Sequence, residues 1–416
     1  MSMTSMSRVR TALVVGGGIA GPVTATALRK AGIEATVCEA YPGPAFGIGG
    51  ALAIAPNGLA ALGVIGADEA VRAIATPISG MSLALAGKSP TELPGLPDLP
   101  PLQMVERGDL HRVLHDRAVE AGVAFEHGKR LVGVEENPGG IGENPGTVTA
   151  QFADGSTASA DVLIGADGVR STVRTLIDPD APAAGYTGML GVGGIADIEI
   201  DAAPETMTFA FGKRAYYLYW PLPGGGVAWG ANLPSKKYLT LSEARAIPAE
   251  DWLRTLRETY ADDVPGGELA RHTSAESLQV TGALHIMPPV PHWYRGRMVL
   301  VGDAVHAPSN STGQGASLAI ESGIQLARCL RDLPDPSCAF AAYEGMRRKR
   351  VEKIAARGAK LNHAKTPGPV ARTMMSLMMP VMFKMVNMEK TMGAEQRYTI
   401  DWDAPVTGTA IATADV

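Results

Sequence analysis

"TALVVGGGIAGPVTATALRKAGIEATVCEA", residues 11–40, decides how the rest of the chain is read. A short apolar strand, Ala12 to Val15, runs into Gly16, Gly18 and Gly21, spaced as G-x-G-x-x-G. In that spacing the first glycine makes a tight turn and the second lets a diphosphate approach the backbone. The third lets the following helix pack on the strand. Ile19 and Ala20 open that helix, whose unpaired N–H groups favour a negatively charged group. Pro22 falls in the first turn, where no intrahelical donor is lost, and Gly32 stops the helix after Lys30. A second apolar strand, Ala35 to Cys38, ends in Glu39, eighteen residues past Gly21. A carboxylate at that distance accepts hydrogen bonds from ribose hydroxyls and disfavours a 2′-phosphate. The tightly held nucleotide is therefore FAD or NAD, not NADP.

Two later stretches share the design. "ADVLIGADGVRSTVR", residues 160–174, is an apolar strand that ends in Gly165, Ala166, Asp167 and Gly168. "VGDAVHAPSNSTGQG", residues 301–315, follows the apolar Met298 to Val301 with Gly302 and Asp303. Its Gly313 and Gly315 then open a helix near Ala316. Three strand ends, each with glycine and an acid, place one long ligand across the carboxyl edge of a parallel sheet.

With these motifs the chain resembles, over nearly its whole length, the single-component flavin-dependent aromatic monooxygenases of the para-hydroxybenzoate hydroxylase-like group. The resemblance implies a Rossmann-like α/β FAD-binding domain and a discontinuous, mainly antiparallel substrate domain. Gly16, Gly18, Ile19, Ala20 and Gly21 would then bind the ADP half of FAD, with Glu39 on its ribose. Asp167 and Gly168 would lie near the pyrophosphate and the path of the nicotinamide, and Gly302 and Asp303 would hold the ribityl chain. Gly313, Gly315 and Ala316 would face the flavin ring. Arg107, in "VERGDLHRVL", matches the family's flavin-contacting arginine, and Gly50 lies in the segment 47–66 that passes the ring.

The implied reaction uses NAD(P)H and O2. Reduced FAD takes up oxygen as a hydroperoxide, which hydroxylates an aromatic molecule. With a single dinucleotide motif, the nicotinamide binds transiently. A Baeyer–Villiger oxygenase or an epoxidase on the same fold, a prenyl-chain reductase, and a non-catalytic flavin- or drug-sequestering protein are the alternatives. A halogenase is disfavoured because no W-x-W-x-I-P segment occurs.

The sequence departs from the family pattern in places. Asn310 stands where the family has proline, Ser317 where it has asparagine, and Glu321-Ser322 where it has "ED". Ala40 replaces an arginine after the ribose-binding acid. Met189 and Leu190 stand where an arginine often meets charged substrates, which favours a neutral, polycyclic or natural-product-like substrate. His306 reads as a structural neighbour of the flavin segment rather than a base.

Boundaries follow the change of pattern along the chain and the resemblance. Residues 1–75, 101–178 and 281–365 are assigned to FAD binding, 76–100 and 179–280 to the substrate domain, and 366–416 to a tail. Within 131–164, alternating strands broken by two "ENPG" turns read as a small meander. Residues 207–234 read as an antiparallel hairpin rich in aromatics. Tyr217 and Tyr219 share one face and Tyr216, Leu218 and Trp220 the other. Tyr217 and Tyr219 are taken as the substrate-positioning (catalytic) residues. Helix "PAEDWLRTLRETY" turns Trp252, Leu256 and Tyr260 inward. The tail carries methionines at 375, 378, 379, 382, 385, 388 and 392, at helical spacing, as a helix packed on the flavin domain, a lining or lid for a bulky apolar substrate, or a dimer contact.

Composition closes off other classes. A net charge of −5 and no basic stripe argue against nucleic acid. "RRKR", residues 347–350, reads as a solvated helix face. Cys38, Cys329 and Cys338 have no metal or disulfide spacing, so no metal site and a reducing, cytoplasmic setting are expected. No run of eighteen apolar residues exists, so stable membrane insertion is not expected. A monomer or homodimer is expected.

Overall fold

The structure, a computed structural model, describes residues 9–44, 49–85, 89–96, 98–137, 146–363 and 389–407. Its first layer is a six-stranded sheet. The strands follow the spatial order Tyr294–Arg295, Met298–Leu300, Val162–Gly165, Thr11–Val15, Glu34–Glu39 and Ala124–His127. All neighbours are parallel except the antiparallel edge pair at 294–300. Val162–Gly165 and Met298–Leu300 are buried throughout, as uninterrupted apolar strands of a parallel sheet covered on both faces must be. The helix Ala20–Lys30 packs along the long helix Gly315–Asp332 so closely that a Cβ on Gly323 would lie 2.4 Å from Thr24 Oγ1.

The second layer is a seven-stranded sheet in the order Gln279–Ile286, Gly185–Ala196, Val227–Pro234, Tyr216–Pro221, Thr206–Phe211, Gly80–Leu85, Thr91–Glu92. Thr206–Phe211 and Gly80–Leu85 are parallel; the other pairs are antiparallel. The stretch near residue 80 thus joins a sheet otherwise built more than a hundred residues later. Helix Ala249–Tyr260 buries Trp252, Leu256 and Tyr260 against one face of this sheet.

Two three-stranded sheets complete the fold. One is the meander Leu131–Asn137, Thr147–Phe152 and Thr157–Ala160, whose "ENPG" tip lies mainly outside the described residues. The other joins Ala51–Ile54, Leu102–Glu106 and Thr76–Ile78, and so ties the segment after residue 49 to the strand that leads into Arg107.

The structure corrects one surface assignment. The "RRKR" stretch lies within helix Pro336–His363, but Arg347 is wholly buried and Arg350 is mostly so. Both reach Glu321, a carboxylate the linear sequence gives no reason to pair with them. The methionines at 375–388 lie outside the described residues; Met392 is described. Among the described residues no helix is long and apolar enough to cross a membrane, and no cluster could hold a metal ion. Cys38 and Cys329 are buried thiols and Cys338 is exposed, all unpaired by disulfide.

Candidate active site

A single continuous cavity of about 1610 Å³ runs from the carboxyl edge of the six-stranded sheet to one face of the seven-stranded sheet. Small-molecule pockets commonly span roughly 300–1,000 Å³. This one has room for a dinucleotide and a second ligand.

The nucleotide end is set by backbone geometry. Gly16 has φ +106°, and a Cβ on it would lie 2.5 Å from the Ala166 carbonyl oxygen. No side chain fits that turn without moving the neighbouring strand end. A Cβ on Gly21 would lie 1.9 Å from the Gly16 carbonyl oxygen, so the helix can close on the turn only through glycine. Gly18 faces open space instead, with nothing within 4 Å of where its Cβ would stand. A diphosphate can reach the backbone there.

Glu39 is already oriented. One carboxylate oxygen accepts from Gly17 N–H at 2.6 Å and the other from Tyr41 N–H at 2.9 Å. His111, on the helix Arg107–Glu120, donates its Nε2–H to the Gly17 carbonyl at 2.5 Å; a carbonyl only accepts, which settles the tautomer at that nitrogen. Burial pushes the His111 pKa down. Asp167 accepts from the N–H groups of Thr172 and Val173, at 2.7 and 3.1 Å. Burial raises its pKa. Asp303 stands on the cavity wall, raised by burial and drawn back by the Arg107 guanidinium.

The turn Asn310–Thr312 ends at Gly313, and helix Gly315–Asp332 starts with no side-chain cap. Its first N–H groups are therefore left for a ligand. Ser317, the departure from asparagine, accepts from Ala55 N–H at 3.0 Å, and Gly58 presses directly on it. The smaller residue thus fastens the strand Ala51–Ile54 to the helix start.

Most of the expected cofactor residues meet in this cavity: Gly16, Gly18, Ile19, Ala20, Glu39, Gly50, Arg107, Asp167, Gly168, Asp303, Gly313, Gly315 and Ala316. Gly21 and Gly302 are not on its wall. Gly21 packs beneath Gly16, and Gly302 is wedged between Ala20 and Ala319. These residues fit FAD: an open diphosphate turn, a preset ribose acid, a second acid farther along and an uncapped helix start lie along one channel.

The sequence of residues 9–357 matches the family described as FAD binding domain. The 3-amino-4-hydroxybenzoate 2-monooxygenase PtmB3 of Streptomyces platensis is 34% identical over 388 residues, covering 87% of this chain and 90% of that protein. The chain belongs to the FAD binding domain family. Within it, its relatives are single-component FAD-dependent aromatic monooxygenases. Aurachin C monooxygenase/isomerase of Stigmatella aurantiaca is 28% identical over 83% of this chain and 87% of its own length. The structure of Klebsiella pneumoniae HpxO complexed with FAD and uric acid superposes with a TM-score of 0.78 at 25% identity, covering 93% of this chain and 96% of that one. Fold and family together make this chain an FAD-dependent monooxygenase.

At the substrate end of this monooxygenase, the two tyrosines expected to position the substrate lie away from the cavity. Tyr217 and Tyr219 are buried on the helix side of the seven-stranded sheet, packed with Trp229, Trp252 and Tyr260. They do not line the cavity. Strand alternation places Tyr216, Leu218 and Trp220 there instead. Periodicity separates the two faces, but only the helix Ala249–Tyr260 decides which is covered.

His306 also lies off the cavity wall. It is buried, with Nε2 2.8 Å from Ser322 Oγ, and burial with the nearby Arg347 drives its pKa to about 3. It packs beside Trp293 and Ser322 rather than facing the cavity.

Proposed function

We propose that this monooxygenase uses NADH or NADPH and O2 to hydroxylate an uncharged, flat, polycyclic or natural-product-like aromatic. One observation carries the choice of substrate. Strands Thr206–Phe211, Tyr216–Pro221 and Val227–Pro234, which form the heart of the substrate face, contain no charged residue. A charged ligand buried against these strands would lose hydration with no charged partner on them to replace it.

When bound, FAD supplies hydride acceptance from the nicotinamide and activation of dioxygen. The chain's own residues do the rest. The backbone at Gly18 and the start of helix Ala20–Lys30 bind the diphosphate, and Glu39 orients a ribose. Asp303, on the cavity wall, would hold the sugar-alcohol chain of the bound flavin. The uncapped N–H groups at Gly315 and Ala316 would stabilise negative charge on a flavin bound there. The apolar substrate face excludes water from the reacting centre. The nicotinamide docks transiently, consistent with a single dinucleotide turn. A cytoplasmic location belongs to this reading and is supported by three cysteines without a disulfide.

The test is NAD(P)H oxidation by FAD-loaded protein across phenols, anionic aromatics and neutral polycyclic aromatics. Strong stimulation by a neutral polycyclic compound, with matching oxygen consumption, is expected. Stimulation by anionic aromatics alone would remove the substrate reading. No stimulation by any member would leave FAD binding without the proposed oxygenation.

A further inference from the structure

Two buried donors on the cavity face lack partners. Trp220 Nε1 and Asn232 Nδ2 have no hydrogen bond, although the residues are only 4% and 7% exposed and both line the cavity. An unpaired buried donor costs free energy, so each site favours whatever acceptor reaches it. The Asn232 amide is oriented by its other end: Oδ1 accepts from Asn310 Nδ2 at 3.3 Å, which leaves the NH2 for the cavity. The indole N–H can only donate.

The strand register shows what lies between them. Tyr216 pairs with Asn232, Leu218 with Gly230 and Trp220 with Ala228. Trp220 and Asn232 therefore stand on one face, four residues apart along the ladder, roughly 13 Å at the usual rise. Between them lies Gly230, with nothing within 4 Å of where its Cβ would be. Its neighbour Gly193 differs, because a Cβ there would meet Trp229 backbone oxygen at 2.4 Å. Gly193 is glycine for packing. Gly230 has no such reason and leaves bare backbone facing the cavity. Met207, Phe209 and Leu218 border this patch.

We propose that this face is a platform for a flat, uncharged aromatic bearing acceptor oxygens, with Gly230 as its floor and Trp220 and Asn232 reading the oxygens. The proposal rests on the monooxygenase reading and names the substrate class it takes. The platform selects carbonyl-bearing over plain hydrocarbon rings. It rejects rings with an ammonium group, which offers no acceptor, and Gly230 sets the thickness admitted.

The test uses fluorene and 9-fluorenone, matched tricycles that differ by one carbonyl. Each is titrated into oxidised, FAD-loaded protein while the flavin spectrum is followed. Fluorenone should bind about tenfold tighter than fluorene, the effect of one good hydrogen bond. Trp220→Phe keeps the ring and removes the donor. Asn232→Asp keeps the acceptor for Asn310 and removes the donor. At least one of the two should erase the preference. Gly230→Leu should abolish binding of both tricycles while FAD content and Tm hold, because its backbone is not in the left-handed region. Gly230→Ala should weaken both in the same order and serves if the larger variant fails to fold.

Equal binding of the two tricycles, binding of neither, a preference that survives both donor variants, or undiminished binding in Gly230→Leu would overturn the platform. Binding needs no turnover, so this failure is distinct from failure of oxygenation. Fluorenone bound to an enzyme that oxygenates nothing keeps the platform and removes the reaction.

Discussion

Arg347 Nη1 and Glu321 Oε2 form an ion pair at 2.5 Å with both side chains wholly buried. Arg350 adds a second guanidinium at 2.9 Å. Asn57 Nδ2 donates to Glu321 Oε1 at 2.6 Å and to Gln314 Oε1 at 2.9 Å. Burial alone would raise the Glu321 carboxyl; the two arginines outweigh it and hold it below its ordinary value. The pair therefore ties helix Pro336–His363 to helix Gly315–Asp332, and Asn57 links its carboxylate to Gln314, just before that helix starts. Arg347→Ala would leave Glu321 short of a buried partner, a change that costs about 3–5 kcal/mol. Denaturant unfolding should show that loss, with FAD retention falling alongside it. A loss under 1 kcal/mol would mean that Arg350 alone satisfies the carboxylate.

Asp303 couples stability to cofactor binding. Its folded pKa is raised, so the unfolded chain ionises first as pH climbs through the ordinary carboxylate range. The folded protein without FAD thus loses stability from that point up to the raised value, and the deficit persists at neutral pH. Asp303→Asn should raise the Tm of the FAD-free protein at pH 7 and weaken FAD binding by tenfold or more, about the effect of one charge-assisted hydrogen bond. Thermal scans and flavin titrations check the two halves separately. Lower stability with unchanged FAD affinity would contradict both.

Tyr217 and Tyr219 carry a prediction of little effect. The Tyr217 hydroxyl reaches Val264 O only at 3.5 Å, and both rings sit in the helix-side core. Phenylalanine at either position keeps the ring and its packing. Tyr217→Phe and Tyr219→Phe should each change kcat and KM less than twofold and stability by about 1 kcal/mol or less. A tenfold loss of kcat with unchanged stability would return these residues to the substrate site.

His306 should register as acid sensitivity. Its folded pKa, about 3, lies below its ordinary 6.5. Between those values the unfolded chain binds a proton that the folded one refuses. Stability contributed by this site is complete above pH 6.5 and falls as pH drops, by up to about 1.4 kcal/mol per pH unit. His306→Gln should flatten the stability profile between pH 6.5 and 5, as unfolding curves would show. It should leave any limb of the pH–rate profile near neutrality in place, since His306 itself does not line the cavity.

The nucleotide half was legible because its signals are local. Gly16, Gly18, Gly21 and Glu39 lie within one strand–helix–strand unit, and spacing alone places them together. Asp167 and Asp303 needed only the rule that such sheets bind ligands at their carboxyl edge. The substrate half depends on partners distant in sequence. Alternation split Tyr217 from Trp220 correctly, but the helix thirty residues on determines which face is open. Arg347 looked solvated because its carboxylate lies 26 residues away on another helix. His111 had a faint local signal, one turn after Arg107 on the same helix face. Gly230 had one too, as a lone glycine inside a strand, which often marks close approach of a ligand or backbone.

The most direct measurement is the source of oxygen in the product. FAD-loaded protein turns over a stimulating neutral polycyclic aromatic with NAD(P)H under 18O2 in ordinary water, and the product is analysed by mass spectrometry. The account predicts one labelled oxygen atom in each product molecule. An unlabelled product, or oxygen drawn from water, would contradict it.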